Sequence, residues 1–217
     1  MEQKTKEILD ILAEEFPSPK SELVFKNPYQ LLVAVILSAQ CTDKRVNQVT
    51  PLLFAEADTP QKMADLPDEK LEKLIYSCGF YKNKAKNIKL CARQVLDNYN
   101  GVVPNNMDDL LTLAGVGRKS ANVIMLEVFG IAQGIAVDTH AKRISNLVGL
   151  SDEKDPLKIE QDLLKIFSKN DIKDINHLFV WHGRNTCIAR HPKCDICPIK
   201  DFCKYYKNKD IQLTKLL

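Results

Sequence analysis

The sequence predicts an all-α fold made of many short helices. Apolar residues recur three and four positions apart along most of the chain, the spacing that lines one face of a helix. Few stretches alternate β-branched or aromatic residues with polar ones, which speaks against a sheet protein. Proline, glycine, asparagine and aspartate interrupt the pattern often enough to give helices of about 8–14 residues joined by short links.

The elements follow in order. Ile8, Leu9, Ile11, Leu12 and Phe16 make one apolar face, closed by Pro17 and Pro19. Asn27 and Pro28 open a second helix, whose run through residues 31–37 is apolar all round and is therefore expected to be buried. Val46, Val49, Leu52 and Leu53 continue helically. Residues 58–60 (Asp-Thr-Pro) and 65–67 (Asp-Leu-Pro) read as helix starts with proline near the first turn. Leu71, Leu74 and Ile75 follow, and Gly79 breaks that helix. Ala85, Ile88, Leu90, Cys91 and Val95 form the next, which Asn100 and Gly101 turn. Residues 107–113 and 120–129 are two helices separated by a short glycine hairpin. Residues 139–148, 156–167 and 175–182 complete the set.

Composition narrows the class. Hydrophobic residues are 45% and charged residues 27% of 217, an ordinary globular balance. The longest apolar run, residues 31–37, is far short of the roughly 20 residues a membrane span needs. The first residues interleave acids with apolar side chains, unlike a signal peptide. A soluble intracellular protein is expected, so the 7 cysteines need not be disulfides. Cys41, Cys78 and Cys91 are scattered and read as small core residues. The net charge of +3 names no partner. Its distribution permits a polyanion, because residues 82–93 and 184–209 are locally basic.

The most informative short segment is residues 113–119, Leu-Ala-Gly-Val-Gly-Arg-Lys, between two amphipathic helices. Gly115 and Gly117 can take positive φ and let another backbone come close, and Val116 can anchor the hairpin. The first N–H groups of the following helix lack partners and sit at its positive dipole end, which suits a phosphate. A plain helix–helix turn is the simpler reading of the glycines alone. Lys119 lies at that helix start. A nucleophilic amine must lose its proton, and the helix end and Arg118 both disfavour the ammonium. Partial burial or a nearby proton acceptor must supply the rest. Taken alone, Lys119 is a phosphate contact. Asp138, in Ile-Ala-Val-Asp-Thr-His (residues 135–140), ends an apolar run where a helix begins, which fits an N-cap. One carboxylate oxygen can cap while the other serves a reaction.

Cys187, Cys194, Cys197 and Cys203 stand in the pattern C-x6-C-x2-C-x5-C. Four thiolates so close in sequence can surround a zinc ion or a [4Fe–4S] cluster. Structural zinc usually shows two CxxC knuckles. One is present here, and the wider loops favour the cluster while leaving zinc open.

Together, the hairpin followed by Asp138 resembles the helix-hairpin-helix and aspartate signature of base-excision DNA glycosylases. The cysteine pattern resembles that of the endonuclease III family. The intervening loop, residues 130–134, is one residue longer than in the commonest members and lacks their proline. Residues 37–43 (Leu-Ser-Ala-Gln-Cys-Thr-Asp) resemble a further family segment, with Cys41 in place of alanine. Residues 78–85 resemble the loop whose apolar tip wedges into the duplex, and residues 181–187 resemble the approach to the cluster. The resemblance covers nearly the whole chain.

It implies two helical domains flanking a DNA-binding cleft. One is a helical barrel over residues 22–133 with the helix-hairpin-helix. The other is discontinuous, residues 1–21 and 134–217, with the cluster at 187–203. It implies a bifunctional glycosylase that removes oxidised pyrimidines from duplex DNA and cuts the abasic site by β-elimination. Lys119 would form the Schiff base and Asp138 would stabilise the cationic sugar. Gln40, Phe80, Gly115, Gly117, Arg118, His140, Arg143 and Arg184 would contact DNA. Gln40 would enter the space of the flipped nucleotide and Phe80 would be the wedge. Cys187, Cys194, Cys197 and Cys203 would hold a [4Fe–4S] cluster that acts as a staple. A cytoplasmic, nucleoid-associated monomer is expected. Mismatch-specific relatives carry the cluster but usually lack the lysine. A non-catalytic DNA-binding module and a zinc-stapled adaptor are the readings from other classes.

Overall fold

The computed structural model describes residues 2–17 and 19–208. Among them there is no strand; all regular structure is helical. No helix among them is long and apolar enough to cross a membrane. Lys209, the last member of the basic run, lies outside the described residues. The described residues group into two compact units, one within Ser21–Ile131 and one within Met1–Lys20 and Ala132–Leu217.

The unit within Ser21–Ile131 is built around α2 (Pro28–Ser38), whose residues 29–37 are buried on every side. The Asn27 side chain accepts from the Gln30 N–H at 2.9 Å, and Pro28 occupies a position where no N–H is needed. Helices α3 (Asp43–Glu56), α6 (Tyr81–Tyr99) and α8 (Arg118–Phe129) pack on α2. Val46, Val49 and Leu53 face this core, whereas Leu52 (64% exposed) and Leu90 (46%) lie outside the apolar faces expected to hold them. The two Asp-x-Pro starts are shifted. Helix α4 (Pro60–Asp65) is capped by Thr59, while Asp58 pairs with Lys62 at 2.8 Å. Asp65 ends α4 instead of starting a helix, and α5 (Asp68–Ile75) begins after Pro67 with no side-chain cap. A 3-10 turn (Tyr76–Cys78) leads into α6, and α6 ends where Asn100 and Gly101 both take positive φ. The basic run of α6 is not one solvated face: Lys84 is buried and Lys89 pairs with Asp68 at 2.9 Å.

The other unit contains α1 (Glu2–Glu15), α9 (Thr139–Val148), α10 (Pro156–Ile166) and α11 (Lys169–Asn185). Ile8, Leu9 and Leu12 of α1 share a core with Ile144, Leu163 and Phe179. Helix α11 starts six residues earlier than its apolar pattern indicates. The Asp171 carboxylate sets that start, accepting from the Ser168 N–H at 3.2 Å and the Ser168 hydroxyl at 2.6 Å.

Candidate functional site

In the unit within Ser21–Ile131, α7 (Met107–Thr112) and α8 flank the hairpin. Val116 is buried in the core, and its N–H donates to the Leu113 carbonyl at 3.1 Å. Gly115 has φ +80°, and a Cβ there would stand 3.1 Å from Asn87 Cβ and 3.2 Å from Ile36 Cγ2. Both backbone sign and space therefore require glycine. Gly117 departs from the expectation of positive φ. It is the N-cap of α8 with φ −99° and ψ 175°, the extended conformation an N-cap needs. A Cβ there would meet nothing within 4 Å. Gly117 brings no capping side chain to α8, and a helix start of this kind suits an anion.

Gln94 of α6 braces this hairpin, accepting from the Ala114 N–H at 2.8 Å and donating to the Thr112 carbonyl at 3.0 Å. Sequence reasoning missed it; a lone amide among the inward positions of α6 was the available signal. Gly115, Gly117, Arg118 and Lys119 are all exposed.

Gln40 and Phe80 belong to the same unit and share an unusual backbone. Each is a non-glycine residue at positive φ, +52° and +48°. Phe80 is 70% exposed, so it is not a core aromatic. Held left-handed conformations with exposed side chains are a feature of functional loops.

In the other unit, Asp138 caps α9. Its Oδ1 accepts from the His140 and Ala141 N–H groups, both at 2.8 Å, and Oδ2 lies outside that cap. The chain leading to it is held by two buried polar side chains. Glu160 Oε1 accepts from the Ile135 N–H at 3.2 Å, and Asn176 Oδ1 from the Ala136 N–H at 2.6 Å. Neither was singled out from sequence, although each is a polar residue on an otherwise apolar helix face.

His140 and Arg143 turn toward α11. The Arg143 guanidinium donates to the Cys187 carbonyl from Nε (3.1 Å) and Nη2 (2.7 Å), and to the Gly183 carbonyl at 3.0 Å. This fan of carbonyls makes Arg143 a brace within its unit. His140 is half-buried, and burial holds its pKa below the usual histidine range, with Asp138 acting the other way and Arg143 and Arg184 reinforcing the fall. Gly183 was also missed: a Cβ there would stand 2.6 Å from His140 Nδ1 and 2.8 Å from its Cβ. Arg184, Arg190 and Lys193 are exposed.

The four C-terminal cysteines line one small cavity together with Ile144, Val148, His182 and Ile199. The Cys203 thiol lies 3.3 Å from the Leu147 carbonyl, and Cys197 Sγ lies 3.7 Å from His182 Nε2. Burial pushes the Cys197 thiol up to about 11 and raises Cys187 as well. Such thiols become thiolates when a metal centre supplies positive charge. Among the described residues, no three Cys, His, Asp or Glu side chains converge on a point as ligands of one ion do. Four thiols around one shared cavity can hold a multi-iron cluster.

Comparisons with known proteins agree with this geometry. Residues 33–169 match the family described as HhH-GPD superfamily base excision DNA repair protein. Residues 187–203 match the iron-sulfur binding domain of endonuclease III. Endonuclease III of Rickettsia conorii is 46% identical, over 95% of this chain and 98% of the relative. That of Escherichia coli (strain K12) is 43% identical, over 96% and 98%. Among solved structures, a non-covalent Endonuclease III–DNA complex superposes with a TM-score of 0.91 at 42% identity, covering 97% of this chain and 98% of that one. A trapped Endonuclease III–DNA covalent intermediate superposes equally well, with a TM-score of 0.91 at 42% identity, covering 97% and 99%.

Proposed function

We propose a division of labour among the site residues from one premise: the chain belongs to the HhH-GPD superfamily of base excision DNA repair proteins, in its endonuclease III branch. It is accordingly a DNA glycosylase and abasic-site lyase with a [4Fe–4S] cluster. Its substrates are duplexes carrying oxidised pyrimidines, and abasic sites. It acts as a monomer on the DNA of the nucleoid.

A phosphate of the damaged strand docks on the uncapped amides of α8, positioned by Gly117 and Arg118 without reading sequence. Phe80 enters the base stack and Gln40 fills the space left by the flipped nucleotide. The Lys119 amine attacks C1′, and the C1′–N bond to the base breaks. Asp138 stabilises the oxocarbenium charge that develops and helps take the amine proton. The C1′–O4′ bond of the resulting aminal then breaks, O4′ takes a proton, and the Schiff base so formed acidifies C2′; loss of that proton expels the 3′ phosphate. Cys187, Cys194, Cys197 and Cys203 hold the cluster, which when bound cross-links the C-terminal loop as a structural staple. Arg184, Arg190 and Lys193 lie exposed around that loop and face phosphates.

The observation that carries this reading is an exposed lysine in the first turn of a helix whose N-terminus no side chain caps. Borohydride added during turnover is expected to fix a covalent protein–DNA adduct, and Lys119→Gln to abolish it while duplex binding persists. Adduct formation by Lys119→Gln would assign the nucleophile elsewhere. Base release by wild type without any adduct would make water the nucleophile and Lys119 a phosphate contact.

A further inference from the structure

His182 stands in the wall of the cysteine cavity, and the glycosylase reading gives it nothing to do. It lies in the last turn of α11 and lines the cavity beside Cys187, Cys194, Cys197 and Cys203. Helix α11 delivers it together with the first of those cysteines, because the Cys187 N–H donates to the His182 carbonyl at 2.8 Å. The side chain is 1% exposed. The Phe16 ring stands edge-on to the imidazole, with 6.4 Å between centroids and 64° between planes. So held, the ring places Nε2 3.7 Å from Cys197 Sγ, a separation that a hydrogen bond to the large sulfur atom spans. Nδ1 is buried and has no hydrogen-bond partner among the described residues. A neutral imidazole carries one N–H. Because Nδ1 is unpaired in either tautomer, the proton's place depends on what Nε2 meets. On Nε2, the proton points at a sulfur. On Nδ1, it would be a buried N–H without an acceptor, and the Nε2 lone pair would face those of a thiolate. The proton therefore belongs on Nε2.

We propose that His182 donates an Nε2–H hydrogen bond to the Cys197 sulfur and so holds the reduction potential of the cluster above the value the cysteines alone would give. The four cysteines supply the thiolates, as proposed above, and His182 adds no ligand. Hydrogen bonds to the sulfurs are among the factors that set the potential of an iron–sulfur cluster. The reason is electrostatic. A coordinating sulfur gains negative charge when the cluster takes up an electron and loses it when the cluster gives one up. A donor aimed at that sulfur is therefore worth more in the reduced member of a couple, and the potential rises. A charged acceptor strengthens the bond. Burial adds to it, since water does not compete for the N–H of a side chain that is 1% exposed. The raised potential disfavours oxidation of the cluster, so His182 protects the staple as well as tuning it.

The test begins by counting metal in anaerobically purified protein. Zinc in place of iron overturns the cluster and this proposal with it; with about four irons bound, the remaining results concern His182 alone. Protein labelled with nitrogen-15 at histidine is brought to a paramagnetic state of the cluster and read by pulsed electron paramagnetic resonance. The expected result is a weak coupling to a histidine nitrogen. It should persist in His191→Gln, which alters an exposed histidine of the cysteine loop, and vanish in His182→Gln. A coupling as strong as that of a metal-bound nitrogen makes His182 a ligand and overturns the proposal, as does no coupling at all. This arm detects the bond in wild type, so it decides whether the bond exists even where a His182 variant binds no iron. The second arm measures the reduction potential of iron-loaded protein. His182→Leu removes the donor and should shift the potential downward. His182→Gln, whose amide can aim an N–H at the same sulfur, should recover most of that shift. An unchanged potential in His182→Leu, or an equal fall in both variants, overturns the tuning. Neither arm uses DNA, so both stand apart from the glycosylase reading.

Discussion

Helices α8 and α9 start with the same electrostatic need and meet it in opposite ways. Each begins with N–H groups that have no partner within the helix, at the positive end of its dipole. In α9 the protein supplies its own anion: Asp138 Oδ1 takes two N–H bonds at 2.8 Å. In α8 the cap is a glycine in extended conformation, which has no side chain to cap with, and a Cβ there would meet nothing within 4 Å. Asn27, Thr42, Thr59, Asn106 and Asp155 cap their helices with side-chain bonds, whereas α8, like α5 and α6, has no side-chain cap. A helix N-terminus left open forgoes up to about 1 kcal/mol of capping and gains an anion site.

Four changes would break or sharpen this contrast. The largest effect is expected at the filled end. Asn caps as well as Asp, so Asp138→Asn keeps α9 and removes only the charge. Base release in single turnovers should fall by about 10²–10³-fold, with unaltered thermal unfolding. Nicking of a ready-made abasic site should slow less, because the base has already left. Next comes the far end of α9, where Leu147 meets Cys203 and Arg143 grips Cys187. Anaerobically purified protein should contain about four irons and no stoichiometric zinc. Cys197→Ser should lose the iron and lower thermal stability. Zinc near one per chain in native protein would contradict the cluster.

The hairpin comes third. Gly115→Ala forces a Cβ onto a left-handed backbone and against Asn87 and Ile36. It should cost about 1–3 kcal/mol in urea unfolding. The smallest effect on stability, and the sharpest comparison, is Gly117→Asp, which gives α8 the cap that α9 has. The site has room for it, and stability should rise by a few tenths of a kcal/mol. Duplex affinity should nevertheless weaken, and the slope of log K against log salt should shrink by about 0.9, one phosphate contact. Unchanged affinity and slope would mean that no phosphate docks at this helix.

The contrast also explains what was legible in the sequence. Lys119, Asp138 and the four cysteines stand in short patterns whose chemistry is local: a helix start, an N-cap, a spacing of thiols. The helix-bearing segments were legible for the same reason, because apolar periodicity and prolines act within a few residues. Conformation set from a distance was not. Nothing near Gly117 says that its φ is −99° while that of Gly115 is +80°. Gly183 looks like a flaw in a helix until His140 of another helix is seen to fill the space of its missing Cβ. The bracing role of Arg143 was not legible, because the carbonyls that accept from it belong to residues 183 and 187, far along the chain. The left-handed backbones of Gln40 and Phe80 likewise carry no sequence mark.

Helix α1 shares its core with α9, α10 and α11, while every helix from α2 to α8 lies in the other unit. On a ribosome adding about 5–20 residues per second, the roughly 150 residues between α1 and α11 take on the order of 10–30 seconds to appear. For most of that wait, until α9 is made, the Ile8, Leu9 and Leu12 face has none of its partners, and α11 comes last. The inserted unit can finish folding while its host is still being made. Premature termination within α11 should then leave a folded hairpin domain attached to an unhoused, aggregation-prone amphipathic helix.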